Sequence, residues 1–369
     1  MLKVLTVLVG LLIALKSNVA LAETPPVRGV WVANVATTTL NSPQDIHEFV
    51  ASAEQIGVNT LYVVVWNRGM TTYPSEIMQR EFGLRCDPRY AKFDVLQEFV
   101  TAAHAKNIRV IAWFEFGFAS SYQQADGGHI LRKHPEWSAR DVDGKVASKN
   151  GFQWMNAFRP EVQDFVLSLL KEILQNYEVD GVQGDDRLPA CPSLAGYDPW
   201  TVKLYQDQHD GNSPPENHFD AEWVDWRAGL LNQFMQRMYH ELKSVKPDAV
   251  ISSAPSIYPW SKQQYLQDWP TWLKNGWVDE VCPQIYREDL GSYRAELKKI
   301  VNEQVAAADL SLVFPGILVQ TASGLHNDQA NLLEMVRANR TAGVHGEVIF
   351  YDRTLREHPD WIKKAWAVE

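Results

Sequence analysis

The chain has 369 residues, 46% hydrophobic and 22% charged, with a formal net charge of −10. This is ordinary globular composition, and its acidity argues against nucleic acid or an anionic membrane surface as a partner. The length fits two or three average domains, but α/β barrels often run past about 250 residues as one unit.

The N-terminus reads as a secretory signal peptide over residues 1–22. Lys3 is the positive n-region, residues 4–15 the apolar run, and Ala20-Leu21-Ala22 the small-residue cleavage signal. The run is too short for a comfortable membrane span, so residues 23–369 are expected as one mature domain, periplasmic or secreted. With no Cys near the cleavage site, no lipid anchor is expected. Loss of Lys3 and Lys16 takes the formal charge from −10 to −12. Cys86, Cys191 and Cys282 match no zinc spacing. An oxidising compartment allows one disulfide. Cys86 and Cys191, both in loops after strands, are the expected pair, and Cys282, inside a strand, is expected as a small buried hydrophobe.

Short apolar runs then alternate with longer amphipathic segments. Strand one is expected at residues 29–35 (GVWVANV), with a helix over 45–56. Strand two is expected at 59–66 (NTLYVVVW), with a helix over 94–106 after a long loop. Strand three is 109–116 (RVIAWFEF), followed by another long loop and a helix over 160–177. Strand four is 181–186 (GVQGDD), its helix delayed to 221–245. Strand five, 249–255, leads to strand six, 280–286 (EVCPQIY), and a helix over 292–307. Strand seven, 312–319, is followed by a helix over 328–341, and strand eight, 347–352 (EVIFYD), by a last helix ending at Trp366. Strands apolar on both faces fit a parallel sheet covered by helices. Gly57, Gly181 and Gly343 suit helix-to-strand connections. Eight right-handed βα units predict a (β/α)8 TIM barrel, with a doubly wound open sheet as the alternative.

The loops after strands two, three and four are long and rich in Trp, Pro, Asp and Asn, and in a barrel they gather on the face that carries the active site. Residues 188–217, polar and Pro-rich, are expected as a surface excursion. Fourteen tryptophans serve core packing first, and their excess suits stacking on sugar faces.

Strand four ends in Asp185-Asp186. Neighbouring strand residues point oppositely, so one faces the barrel axis; Asp185 is the nucleophile candidate and Asp186 a substrate-orienting one. The competing reading has both bonding loop amides and Arg187. Glu115, between aromatics at the end of strand three, should have a raised pKa and suits a general acid; the competing reading is an ion pair with Arg68 or Arg109. Glu288 and Asp289 stand in reserve as acid/base. Asn34, Trp66, Asn67, Arg68, Trp113, Asn156, Gln284, Tyr286 and Asp352 are candidate substrate contacts, with fixing of the strand-to-helix loops as the competing role. Ser256 to Trp260 form a candidate aromatic platform. Paired carboxylates are what glycoside hydrolysis requires. Scattered histidines without HxH or HExxH point to no metal, no GxSxG appears, and no glycine-rich phosphate loop calls for a cofactor.

The series RGVWVANV, NTLYVVVWNRGMTTYPS, RVIAWFEFG, WMNAFRPEVQDF, VDGVQGDDRL and VCPQIYRED resembles the glycosyl-hydrolase-like 10 family over nearly the whole mature chain. The resemblance implies a TIM barrel distantly similar to the α-amylase and α-galactosidase barrels, whose strand-four Asp nucleophile corresponds to Asp185. It implies a polysaccharide partner, in bacterial members peptidoglycan glycan strands stripped of stem peptides. It assigns no acid/base, since strand five has no Glu at its end. Gly184 stands where the family pattern usually has a bulky residue, a change expected to widen the pocket. Some members are lipoproteins or carry wall-binding domains; neither is expected here. A noncatalytic carbohydrate-binding barrel and a hydrolase or lyase of another exopolysaccharide are the alternatives.

Overall fold

The computed structural model describes residues 26–368; the expected signal peptide lies outside them. Eight parallel strands close into a barrel: β1 Arg28–Val32, β2 Thr60–Val64, β3 Arg109–Phe114, β4 Gly181–Gly184, β5 Val250–Ser253, β6 in two segments Glu280–Val281 and Gln284–Ile285, β7 Gly316–Leu318 and β8 Glu347–Phe350. Each strand pairs with the next in chain order, and β8 pairs with β1. The first segment of β6 pairs with β5 and the second with β7, so the ring is continuous through Cys282 and Pro283. Proline has no N–H to donate, which is why the ladder is interrupted there. Cys282 N still donates to Ser253 O at 2.7 Å, and Pro283 O accepts from Gly316 N at 2.8 Å. The closed ring is the expected TIM barrel and not an open doubly wound sheet.

The outer layer is α1 Pro43–Ile56, α2 Val95–His104, α3 Pro160–Asn176, α4 Ala221–Val245, α5 Trp269–Lys274, α6 Leu290–Lys299, α7 Gln329–Thr341 and α8 Pro359–Trp366. Their starts follow cap chemistry: Ser42, Asp94, Asp220, Asp289 and Asp328 each accept a hydrogen bond from a first-turn amide. Gly57, at φ 93°, ends α1 in the left-handed conformation. Gly181 differs from the turn expectation. It is the first residue of β4, and a Cβ there would stand 2.1 Å from Val250 O. The six-residue α5, opened by Trp269-Pro270, is too short to show a helical period in the sequence. The helix expected over 292–307 breaks up into a π-helical turn, Ile300–Gln304, and a 3-10 segment, Ala307–Leu312.

Extra elements crowd the C-terminal end of the barrel. After β2 come the hairpin Trp66–Asn67 with Met70–Thr71 and a helix, Glu76–Phe82. After β3 comes an antiparallel sheet of Ala119–Tyr122, Ser148–Lys149 and Phe152–Trp154. Residues 188–217 are only partly the expected surface excursion. Leu188, Ala190, Cys191 and Ala195 are fully buried. Arg227 of α4, itself buried, holds this segment by donating to the carbonyls of Ser193, Ala195 (2.5 Å) and His218 (2.7 Å). Buried backbone acceptors need such partners.

All three cysteines are free, so the expected Cys86–Cys191 pair does not form. Cys191 lies in the sealed segment, where burial pushes its thiol up to about 12. Cys282 is buried as expected, with its sulfur 3.6 Å from Gln183 Nε2 and 3.7 Å from the Tyr62 hydroxyl. Alkylation of the denatured, unreduced protein followed by mass measurement is expected to label three thiols; a single labelled thiol would contradict the arrangement.

Candidate active site

Strand alternation brings the site together. Side chains two apart face the same way, and inward-facing positions stack in layers up the axis. Near the bottom, Tyr62 donates to Glu280 Oε1 at 2.7 Å, with Arg109 3.8 Å from the same carboxyl group. One layer higher, Gln183 accepts from Trp31 Nε1 at 2.7 Å and donates to Ser252 Oγ at 2.8 Å. Around Trp31 lie the rings of Tyr62, Trp113, Tyr286 and Phe350, with centroids 5.9 to 6.5 Å away. Two residues beyond Gln183 stands Asp185, two beyond Trp113 stands Glu115, and the same step on β6 runs from Glu280 through Cys282 and Gln284 to Tyr286.

At the mouth these groups meet around Arg187. Its Nη2 is 2.9 Å from Asp185 Oδ2 and 4.0 Å from Glu115 Oε1, and its Nη1 is 2.8 Å from Asp186 Oδ1. Its Nε donates to the Glu115 carbonyl at 2.8 Å, and the guanidinium lies over the Phe152 ring at 4.6 Å. Asp185 Oδ1 accepts from Gln284 Nε2 at 2.6 Å, and Glu115 Oε2 accepts from Asn67 Nδ2. Asp185 is the floor, its side chain 5% exposed. Glu115 at 19% and Asp186 at 22% open toward solvent.

Two glycines let the chain close over this cluster. A Cβ on Gly184 would stand 2.2 Å from Leu188 O, and one on Gly117 would stand 2.0 Å from Arg187 O. Contrary to the expectation from the family pattern, the space left at Gly184 is taken up by the Leu188 backbone and does not widen a pocket. Its missing side chain makes room for the turn that carries Arg187.

Burial pushes the Asp185 carboxyl well above the usual carboxylate range. The Asp186 charge adds to that rise and the Arg187 guanidinium opposes it. Burial raises Glu115 as well, against Arg187, the Asn67 amide and, more weakly, Arg68. Burial, followed by the Asp185 and Asp186 charges, holds the Tyr286 phenol well above its ordinary value. Three carboxyl groups thus face one guanidinium.

Several polar atoms at this mouth are buried without a protein partner among the described residues: Nδ2 and Oδ1 of Asn34, Oδ1 of Asn67 and Nε1 of Trp113. These atoms suit the hydroxyl and amide groups of a ligand. Arg68, exposed at the turn of the post-β2 hairpin with φ 53°, carries its charge toward Glu115. Among the described residues no group of three or more His, Cys, Asp or Glu is arranged to hold a metal ion.

Five sequence candidates stand elsewhere. Trp66 is fully buried, donates to Gly117 O at 2.9 Å and packs on Phe165, so it supports the loop and does not reach a ligand. Asn156 is fully buried and saturated by Asp198, Thr201 and the Phe158 amide. Asp352 is fully buried, accepts from Thr37, Thr39 (2.6 Å) and Ala33 N (3.1 Å), and burial pushes its carboxyl up to about 6. It pins the loop after β1. Glu288, 70% exposed, pairs with His326 Nδ1 at 2.7 Å, away from the Arg187 cluster. Asp289, the other reserve, caps α6. Sequence reasoning placed Arg187 only as a structural partner. The signal for more was its spacing, two residues after Asp185. Gln267, buried and donating to Asp185 O at 3.0 Å, left no signal.

The model of the family described as glycosyl hydrolase-like 10 matches residues 26–329. Among curated proteins, glycosyl hydrolase DigH of Escherichia coli K12 is 24% identical over 308 residues, 73% of this chain and 64% of that protein. Glycosyl hydrolase YngK of Bacillus subtilis is 22% identical over 293 residues, 70% and 54% of the two chains. The chain thus spans somewhat under two thirds of these relatives. Among solved structures, the PgaB glycoside hydrolase domain of Bordetella bronchiseptica has a TM-score of 0.68 at 15% identity, covering 94% of this chain and 100% of that domain. An α-L-fucosidase of Paenibacillus thiaminolyticus has 0.66 at 17% identity, covering 93% and 49%. Both likenesses are of fold. With the family model spanning β1 into α7, the chain belongs to the glycosyl hydrolase-like 10 family.

Proposed function

We propose that this protein is a glycoside hydrolase that cleaves a polysaccharide at the Arg187 cluster, with peptide-free peptidoglycan glycan strands as substrate and the periplasm as its place of action. The observation that carries the reading is the convergence of Asp185 and Asp186 from the end of β4 with Glu115 from the end of β3. The glycosyl hydrolase relatives support the reaction class, the family resemblance the substrate, and the leader-like N-terminus the location.

In this reading Asp185 is the nucleophile. Gln284 and Arg187 direct two N–H donors at its oxygens, which favours the ionised form against its burial. Glu115, raised by burial, holds the proton that the leaving oxygen takes. Asp185 Oδ2 and Glu115 Oε1 both face Arg187 Nη2, so they are separated by no more than the sum of those two distances, 6.9 Å. That ceiling admits the roughly 5–5.5 Å of retaining enzymes and reaches only the lower edge of the roughly 6.5–9.5 Å of inverting ones. Asn34, Asn67, Trp113 and Tyr286 would bind the sugar at the cleaved bond.

Asp185→Asn is expected to lower kcat on purified denuded glycan on the order of a thousandfold or more, because the group acts in the transition state. Near-wild-type turnover would remove Asp185 from the chemistry. Glycan binding by the wild type with no new reducing ends would favour a noncatalytic barrel. The greater exposure of Asp186 supports a second reading, in which Asp186 and Glu115 flank the bond and Asp185 only holds Arg187. Asp186→Asn would then be the inactive variant.

The pH dependence has a definite sign. Arg187 lowers both the Asp185 and the Glu115 pKa, so its removal raises both. Asp185 must be ionised and Glu115 protonated to act, so the acid and alkaline limbs of kcat/KM should both move to higher pH in Arg187→Gln. A profile that merely drops in height, or moves to lower pH, would contradict the assignment.

A further inference from the structure

Beside the Arg187 cluster stands a cation that the proposed mechanism leaves unused. Lys149 ends the strand Ser148–Lys149 of the sheet after β3, and a two-residue turn joins it to Phe152–Trp154. In that turn Asn150 at φ 54° and Gly151 at φ 81° are the left-handed pair of a tight hairpin, which fixes the register of the two strands. Residues paired across antiparallel strands set their side chains on one face. Lys149 pairs with Phe152, and the Arg187 guanidinium lies 4.6 Å over the Phe152 ring. Lys149 Nζ also lies 4.5 Å over the ring of Tyr265, whose phenol feels the charges of Asp186 and Arg187. Lys149 thus stands one aromatic ring away from the carboxyl cluster.

Amide oxygens hold this ammonium, not a carboxylate. Lys149 Nζ donates to the Gln264 carbonyl at 2.9 Å and to Gln264 Oε1 at 2.6 Å. An ammonium has three N–H donors, and among the described residues Lys149 has no third partner and no ion pair. The side chain is half-buried, and burial lowers its pKa to about 8. Lys262, on the same short helix as Gln264, Trp260–Tyr265, shows the contrast: it is compensated by Asp225 at 2.9 Å and Asp268 at 3.4 Å. The chain has 45 Asp and Glu against 35 Lys and Arg, so carboxylates for Lys149 are not scarce. Its ammonium nonetheless carries a desolvation cost that no protein charge offsets. An anion arriving with a ligand would offset it.

We infer that Lys149 is a specificity-determining residue that takes a carboxylate of the glycan bound at the Arg187 cluster, and so tells strands freed of their stem peptides from strands that still carry them. This rests on the hydrolase reading above. Removing a stem peptide breaks an amide bond and leaves a free carboxyl group on the sugar. The stripped strand is therefore anionic at the point where the peptide-bearing strand has a neutral amide. A mouth with three carboxyl groups and one guanidinium repels such an anion unless a cation stands beside it. Lys149 is that cation, and a neutral amide gives it no counter-charge.

The test uses the full protein and denuded glycan strands in two forms, native and with their carboxyl groups converted to neutral primary amides by carbodiimide coupling to ammonia. For the wild type, kcat/KM is expected to be about tenfold higher on the native strands. In Lys149→Gln that ratio should fall to about one, through a higher KM on the native strands. Lys149→Arg, which keeps the charge, should retain most of the ratio. Lys106→Gln removes the same charge at the opposite end of the barrel, where Lys106 pairs with Glu54 at 2.9 Å, and should retain it in full. Equal cleavage of both forms by the wild type, or a Lys149→Gln enzyme that keeps the wild-type ratio at any absolute rate, overturns the role of Lys149 and leaves the hydrolase reading standing. A wild type that cleaves neither form overturns both.

Discussion

The arrangement at the barrel mouth depends on one guanidinium holding three carboxyl groups in a largely buried place. Burying like charges side by side is strongly unfavourable unless a counter-charge and hydrogen bonds compensate. Arg187 supplies the counter-charge at 2.8 and 2.9 Å to the two aspartates, while Gln284 and Asn67 each give one carboxyl group an amide donor. The compensation is incomplete by charge count, and burial above all raises the carboxyl groups of Asp185 and Glu115. Carboxyl groups raised in this way suit acid–base chemistry.

The rest of the fold makes that cluster rigid. Arg187 is fixed from below by the Phe152 ring and from the side by the Glu115 carbonyl. The turn that carries it is fixed by Gly117 and Gly184, where any side chain would strike its backbone. The segment that follows is sealed by Arg227, and Gln267 ties the Asp185 carbonyl to the loop after β5. Beneath, the interior is filled by Trp31, Tyr62, Gln183 and Glu280, whose hydrogen bonds run between strands. Side chains in such a network have few alternative rotamers, so Asp185 stands on a fixed floor.

The barrel was legible because its strands are apolar runs at regular intervals and its helices begin at capping residues. Asp185 and Glu115 were legible because each is a carboxyl group at a strand end with the right alternation. What escaped the sequence depends on contacts far along the chain. Asp352 and Asn156 look like site residues by position, yet their bonds to Thr37 and Thr39, and to Asp198 and Thr201, turn them into ties. Trp66 follows β2 directly, but the hairpin turns its ring outward to Phe165. Glu288 lies in the exposed loop past β6, where His326 holds it. The Cys86–Cys191 expectation rested on both lying in loops; the burial of residues 188–195 was invisible without Arg227.

The difference between tie and ligand contact can be argued from hydrogen-bond satisfaction. A buried polar group without a partner costs roughly 1–3 kcal/mol, so a folded chain normally fills such groups from within, as it does for Asn156 and Asp352. Unpartnered indoles at Trp154, Trp269 and Trp366 show that one orphan atom carries little meaning by itself. Convergence carries more. Asn34 follows β1, Asn67 follows β2 and Trp113 lies near the end of β3, three neighbouring strands whose C-terminal ends border the Arg187 cluster, and each keeps an unused donor or acceptor. The unused donors and acceptors of Asn34, Asn67 and Trp113, on the strand ends beside carboxyl groups whose pKa burial raises, suit the polar groups of a ligand.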